Sequence, residues 1–356
     1  MATLGQSGKV TLLDWAKSLD PNGRVSAVAE LLNQTNEILL DMPWIEGNLP
    51  TGHKTVIRTG LPTAIWRQLY QGVPPSKAVR AQVTEAIGML ETRSEVDIDL
   101  AKLNGNMAAF RLSEAQAFVE SLNQTMASTL IYGDASTNPE RFTGLTPRYN
   151  PTGGTYSAAP NKQNIILGGG SGSDNTSVWL IGWGENTVHG IFPKASTAGL
   201  FHEDLGVIDA FDSNNNRFRA YADHWQWKCG LAVRDWRYAV RICNIDVSDL
   251  TGSTGTQNAQ QLIKLMVQAL ARIPAMGMCK PVFYANRTVK EMLSIQALDK
   301  SQNALGIVPG LNQFGNVQAG SMGGSRSDVA AGGTLSFFGV PVRTVDQITN
   351  SEGLVS

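Results

Sequence analysis

Residue types that could do chemistry are present in this sequence, and each has a missing partner. His202-Glu203-Asp204 has the look of the start of a zinc-protease motif, but no second histidine stands at the required spacing. The other histidines, His53, His189 and His224, are scattered along the chain. Ile165-Ile166-Leu167-Gly168-Gly169-Gly170-Ser171-Gly172 has the glycines of a phosphate cradle. A dinucleotide loop must open a helix whose N-terminus binds the pyrophosphate; here the strand-like run Val178-Trp179-Leu180 follows, which reads as a surface loop or hairpin. Glu203 with Asp204, and Asp246 with Asp249, are paired carboxylates, but glycoside hydrolysis needs two carboxylates at a set separation across a cleft. There is no G-x-S-x-G elbow, so an esterase lacks its nucleophile. Trp225 and Trp227 share one strand face, where they would either stack a sugar or base or pack on a helix or an adjoining subunit. These residues predict no catalytic centre, no cofactor and no metal site.

Composition narrows the class further. The 356 residues carry a net charge of −1, only 17% are charged, and 36 are glycine. A general nucleic-acid binder would be basic and a disordered acidic chain far more charged. A low-charge, glycine-rich surface suits a protein whose faces are covered by other protein. No run of eighteen apolar residues predicts a transmembrane helix, and Met1–Lys17 lacks the basic and apolar regions of a signal peptide. Cys229, Cys243 and Cys279 are odd in number and include no CxxC pair, so they read as reduced thiols rather than a disulfide framework or zinc site.

The elements predicted along the chain are unusual in their arrangement. Val25–Leu40 forms a helical patch with Val28, Leu31, Leu32, Thr35 and Leu39 on one side, stopped before Pro43. From Lys54 the pattern alternates, continues through Ile65, Trp66, Leu69 and Tyr70, breaks at Gly72–Ser76 and returns through Val79, Val83, Ile87 and Leu90. This predicts a long hairpin, although the return arm also fits a helical period. Arms of ~18 residues would span ~60 Å, against a radius of gyration of ~19 Å for a body of this size. Such a hairpin needs a surface to lie on, and its Lys54, Arg58, Arg67, Lys77, Arg80 and Arg93 predict an acidic one on another copy.

A helix follows over 113–132, opened by the capping box Ser113-Glu114-Ala115-Gln116 and closed by Gly133. Strands are predicted at Ser177–Trp183 and Thr187–Phe192, joined as a hairpin, then at Arg217–Ala222, Trp225–Asp235 and Tyr238–Ile242. A helix over Asn258–Ile273, a strand at Pro281–Ala285, a helix at Val289–Ala297 and strands within Thr334–Val345 complete an α+β pattern.

The order of these parts, with Ile131-Tyr132-Gly133-Asp134, Phe142-Thr143-Gly144-Leu145, Trp225-x-Trp227-x-Cys229-Gly230-Leu231, Arg241-Ile242-x-Asn244-Ile245 and Phe338-Gly339-Val340-Pro341-Val342-Arg343, resembles the major capsid proteins of tailed bacteriophages, with the Hong Kong-97-type fold. The resemblance covers essentially the whole chain. It implies an N-terminal arm (1–50), an extended loop (51–94), a peripheral domain (95–164, 211–249 and 331–356, with the spine helix at 113–132) and an axial domain (165–210 and 250–330). The function it implies is self-assembly into hexamers and pentamers of an icosahedral head enclosing double-stranded DNA, in the virion after assembly in the host cytoplasm.

The partners it implies are other copies of the chain, portal and decoration proteins, and DNA contacted non-specifically, with no membrane. The arm begins close to Met1, which predicts a separately encoded scaffolding protein rather than a fused one. Some members link a loop lysine covalently to a neighbour; Lys54 and Lys77 lie in that region, and basic docking contacts explain them equally. The residues expected to carry docking between subunits are Arg58, Trp66, Arg67, Tyr70, Lys77 and Arg80, so that deleting 60–80 leaves a folded subunit defective in assembly. Two alternatives remain: an encapsulin-like nanocompartment shell, which would hold a cargo enzyme, and a β-rich carbohydrate-active enzyme, which would be a soluble monomer with turnover on glycans.

Overall fold

The computed structural model describes residues 34–103, 107–150, 162–251, 255–298, 305–308 and 334–355. Most of the expected arm, the helical patch up to residue 33 included, lies outside the described residues. Fourteen strands are described: β1 (Trp44–Glu46), β2 (Gly52–Gly60), β3 (Val79–Ala86), β4 (Gly88–Asp97), β5 (Ile165–Leu167), β6 (Asn175–Trp183), β7 (Val188–Phe192), β8 (Leu200–Phe211), β9 (Arg217–Val233), β10 (Ala239–Asp246), β11 (Lys280–Ala285), β12 (Leu305–Val308), β13 (Thr334–Phe337) and β14 (Val340–Thr344). The long helices are α1 (Met107–Tyr132), α2 (Gly255–Arg272) and α3 (Arg287–Leu298).

Two groupings organise them. In the first, β10 pairs with β6 and β5, β6 with β11, and β11 with β14, while α2 and α3 pack together beside β10 and β14. Every residue of β6 is buried and β10 is buried up to Ile245, as in strands covered on both faces, and polar members such as Ser177 and Arg241 are bonded to each other inside. Asn286 caps α3, its side-chain oxygen accepting from the Val289 N–H at 2.8 Å. In the second grouping β9 lies between β4 and β8, with α1 against β4 and β9. Hydrogen bonding therefore groups 200–211 with β9 and 239–246 with β6.

Several expectations change in physical detail. The helix expected to start at Ser113 begins at Met107, because Phe110 is buried with Val96 and Ala101 in a satellite core; the Ser113 box lies within the helix and caps nothing. Arg217–Ala222 and Trp225–Asp235 are one 17-residue strand, β9. β6 and β7 do not fold into a hairpin: they meet only at Trp183↔Val188, and β7 pairs with β9 and, in parallel, with β1. The expected arms of the long hairpin are shorter. β2 and β3 pair from Gly52↔Ala86 to Gly60↔Val79, about 30 Å of ribbon. Residues 61–78 form no strand, since Pro62, Pro74 and Pro75 lack the N–H that a ladder needs. Beyond Ile87 the return arm leaves its partner and becomes β4.

Turns follow local rules. The β13–β14 turn places Phe338 and Gly339 at φ 49° and 80°, the paired positive values of a tight hairpin turn. A Cβ on Gly339 would meet open space, so only the backbone conformation resists it. Gly339→Ala is expected to cost about 1 kcal/mol, read as a lowered urea midpoint at unchanged m-value.

Candidate assembly surfaces

The foot of the hairpin is held by charge. Glu85 on β3 is buried, and Arg148 grips it with two donors, Nη1 at 2.7 Å and Nη2 at 2.6 Å. Paired, bidentate contacts of this kind fix direction as well as position. Arg148 also donates to the Gly144 and Thr143 carbonyls at 3.1 Å each. These carbonyls sit just past the C-terminal end of α1, where Gly144 approaches so closely that a Cβ would stand 2.5 Å from the Thr129 carbonyl oxygen. The Phe142–Leu145 motif thus exists to bring the chain against the end of α1 and to present Arg148 to the hairpin. On the other strand, Asn48 donates to the Lys54 carbonyl and accepts from its N–H, at 2.6 and 2.7 Å.

A pair of histidines completes the foot. His53 on β2 meets His189 on β7 edge-on, ring centroids 5.9 Å apart. His189 is buried, and burial, with His53 and Arg234 nearby, lowers its pKa to about 4 from the ordinary 6.5. Folded, it stays neutral where the unfolded chain binds a proton, so stability falls as pH drops from about 6.5 to about 4. His189→Gln is expected to flatten that part of the stability profile, measured by urea midpoints across the window.

The six residues expected to dock are all displayed outward. Trp66 and Tyr70 are fully exposed, at 101% and 104% of their reference areas, and Leu61, Leu69 and Val73 are exposed beside them. Arg67 and Lys77 are exposed on the same loop, which is drawn together where the Ser76 hydroxyl donates to the Thr63 carbonyl at 3.1 Å. Arg58 and Arg80 stand directly opposite each other in the β2–β3 register. Like charges at opposed positions weaken an isolated ribbon, and an anionic surface laid against them relieves the repulsion. The structure brings Arg58 and Arg80 together, places Trp66, Arg67 and Tyr70 near the tip, and leaves Lys77 on the return. The Arg148–Glu85 clamp was not visible in the sequence: 63 residues separate its members and no motif joins them.

The features that suggested chemistry fall elsewhere. Trp225 is buried between Phe118 of α1, stacked at 5.3 Å, and His202, stacked at 5.1 Å, so it packs a helix onto a sheet and offers no open face to a sugar. His202 Nε2 lies 3.1 Å from Asp223, which with Asp204 is held by Arg111 at 2.8 and 2.9 Å. These carboxylates knit α1 to β8 and β9. Gly168–Gly170 runs beside β10, with the Gly168 and Gly170 N–H groups donating to Cys243 and Asn244, and opens no helix. Cys229 and Cys243 are buried, and burial raises both thiol pKa values, Cys243 to about 11. Among the described residues no group of histidines, cysteines and carboxylates is arranged to hold a metal ion, and no helix is long and apolar enough to cross a membrane.

Comparison with known proteins bears on these surfaces. Residues 20–356 match the family described as Major capsid protein GP7. A chain in the cryo-EM structure of bacteriophage Epsilon15 superposes with a TM-score of 0.73 at 35% sequence identity, covering 100% of this chain and 99% of that one. The capsid of bacteriophage JBD30 gives a TM-score of 0.46 at 9% identity, covering 89% and 92%. The capsid of the native GTA particle gives 0.44 at 10% identity, covering 63% and 95%. A search of curated proteins returns no match.

Proposed function

This chain belongs to the Major capsid protein GP7 family, and from that membership we propose that it builds an icosahedral head of hexamers and pentamers, with the loop at 61–78 as the principal clasp between copies. It is a structural protein of the tailed-bacteriophage virion, with the Hong Kong-97-type α+β fold, and it is not an enzyme. Its partners are other copies of itself in a multimeric shell.

The observation that carries the clasp is the contrast between foot and tip. The foot is clamped to the 143–148 segment through Arg148 and Glu85, while Trp66 and Tyr70 on the loop are bare. An anchored base with an uncovered aromatic tip is the form of a docking element, because interface energy concentrates in a few buried aromatic and arginine anchors. Trp66 and Tyr70 supply the apolar contact, and Arg58, Arg67, Lys77 and Arg80 select an acidic receiving surface. In this reading residues 1–50 are the arm, 51–94 the extended loop, and α1 with β4, β8 and β9 the heart of the peripheral domain. The β5, β6, β7, β10 and β11 group with α2 and α3 forms the axial domain. Double-stranded DNA inside, a separately encoded scaffolding protein, portal and decoration proteins, and assembly in the host cytoplasm belong to the same proposal.

Heterologous contacts between different patches let such a lattice grow and close. Electron micrographs of particles formed by the full chain test it: closed shells with fivefold and sixfold capsomers and nuclease-protected DNA are expected. Particles that lack both capsomer types, or that hold a protein cargo and no DNA, would overturn it.

A further inference from the structure

Among the described residues the β2–β3 ribbon is a sheet of its own, bonded to no strand of the larger sheet, so its direction is set by what holds its foot. On the β3 side that is the Arg148–Glu85 clamp. On the β2 side it is the pair His53 and His189, and each fits only as a neutral ring. His53 Nδ1 accepts from the Asn48 N–H at 3.3 Å, which a protonated ring nitrogen cannot do. The same Asn48 brackets Lys54 through its side chain, so losing that bond disturbs the strand near its start. Among the described residues neither ring nitrogen of His189 forms a well-directed hydrogen bond, and the nearby Gly184 carbonyl is already taken by the Thr187 N–H at 3.1 Å and the Thr187 hydroxyl at 3.2 Å. A protonated His189 would bring two donors to a buried site where that acceptor is spent.

The charges around the pair resist a proton as well. Arg234, just past β9, lies close enough to repel one from both rings, and its guanidinium is held by the Glu185 carbonyl at 3.3 Å and the Asn186 side chain at 3.1 Å. The carboxylate opposite His53 in the β2–β3 register is Glu85, and Arg148 occupies both of its oxygens. Glu46 on β1 is turned to the Ala195 N–H, and Lys54 adds a positive charge on β2. Two protons on the pair would set two imidazolium rings 5.9 Å apart in this surrounding, with the facing carboxylate already paired.

We propose that the pair is a proton-operated catch: when His53 and His189 take up protons, β2 lifts off β7 and the ribbon turns about the Arg148–Glu85 clamp, swinging the loop at 61–78 while the rest of the fold stays in place. Once apart, both rings reach water and regain the ordinary histidine value of 6.5, whereas the closed foot holds His189 at about 4 and His53 below its usual value. The open form therefore binds protons more readily, so opening is favoured as pH falls from about 6.5 towards 4, and closure is favoured above that window. His189 alone favours the open form about thirtyfold more at pH 5 than at pH 8. The angle of the ribbon is thus a function of pH, whether or not the loop is the clasp between copies.

Distances within the dissociated full-length chain test it. A Cys279→Ser background leaves only the buried Cys229 and Cys243. Nitroxides are placed on Thr59→Cys, near the far end of the ribbon, and on Ser213→Cys, in the exposed β8–β9 turn. Between pH 8 and pH 5 the distance distribution is expected to shift and broaden reversibly, with the circular dichroism spectrum unchanged. The double variant His53→Gln with His189→Gln is expected to keep the pH 8 distribution at pH 5. His53→Gln alone should shift less than the parent, and His224→Gln, a histidine away from the foot, should shift as the parent does. A distribution that does not respond to pH would overturn the proposal. So would an equal shift in the double variant, which would hand the response to Glu85 or another group, and so would a shift seen only with loss of the circular dichroism signal, which is general acid unfolding.

Discussion

Glu352→Ala should destabilise the folded subunit by ~3–5 kcal/mol, the loss that follows when one member of a buried ion pair is removed. Glu352 meets Arg241 at 2.9 Å, with the two side chains 4% and 2% exposed. Arg241 also donates to the Ser177 hydroxyl at 3.1 Å and the Tyr149 carbonyl at 3.2 Å, and its guanidinium lies over the Trp179 ring at 5.3 Å. Glu352 accepts from Tyr132 at 2.6 Å and from Ser177. Burial, with the Glu352 charge beside it, raises the Tyr132 pKa, so the hydroxyl stays a donor.

With the carboxylate gone, a guanidinium remains in the core with only neutral partners. The backbone bond from the Glu352 N–H to the Asn175 carbonyl, the reciprocal pair between Asn244 and Val355, and the Thr349 N–H on the Tyr132 hydroxyl remain to hold the C-terminal segment. The double variant Arg241→Met with Glu352→Leu should lose much less, because no charge is left behind. Urea unfolding of the dissociated subunit measures both. A loss below ~1 kcal/mol for the single variant would show that the pair holds nothing the fold needs.

Replacing residues 61–78 with a two-residue turn should leave the fold intact and abolish shell formation. Gly60 and Val79 face each other at the end of the ladder, so a tight turn can join them without moving β2 or β3. The Arg148–Glu85 clamp and the core are untouched by the change. What is lost is the bare aromatic tip. Truncating a hot-spot side chain commonly costs ~2 kcal/mol or more at one interface, roughly thirtyfold in affinity, and the loss recurs at each loop contact in a shell. Trp66→Ala with Tyr70→Ala should raise the protein concentration needed for assembly in the same direction by a smaller amount. Sedimentation and micrographs of the same preparations separate folding from assembly: a native circular dichroism spectrum with no shells is expected. Normal shells from the loop-replaced chain would remove the clasp from the assembly mechanism.

Local pattern made some of this fold legible before any coordinates. The helix read at 258–273 is found at 255–272, because Leu262, Met266 and Ala269 form a buried stripe whose spacing is written in the sequence. The strand near Val240 was legible because both its faces are buried. By contrast β8, Leu-Phe-His-Glu-Asp-Leu-Gly-Val-Ile-Asp-Ala-Phe, carries no strand signal in its pattern. It is exposed along most of its length, exists through its ladder to β9, and has no alternation to betray it. The hairpin arms fall short of their expected length for the opposite reason: Ile65, Trp66, Leu69 and Tyr70 are residue types that favour strands, with no partner to form one. The six residues proposed to dock could be singled out by charge and aromatic type. The clamp that aims them could not, nor could the Arg241–Glu352 pair, whose members are 111 residues apart. Long-range polar contacts leave no periodic trace.

β9 joins the second strand grouping to β7, which meets β6 of the first at Trp183↔Val188. Through Cys229 it is bonded to β4, and from Gly230 to Val233 the same strand is bonded to β7. A tilt imposed on one region therefore reaches the other along a single covalent beam, without a flexible joint between. A load on such a subunit would bow it as one plate and be handed on to the copies beside it.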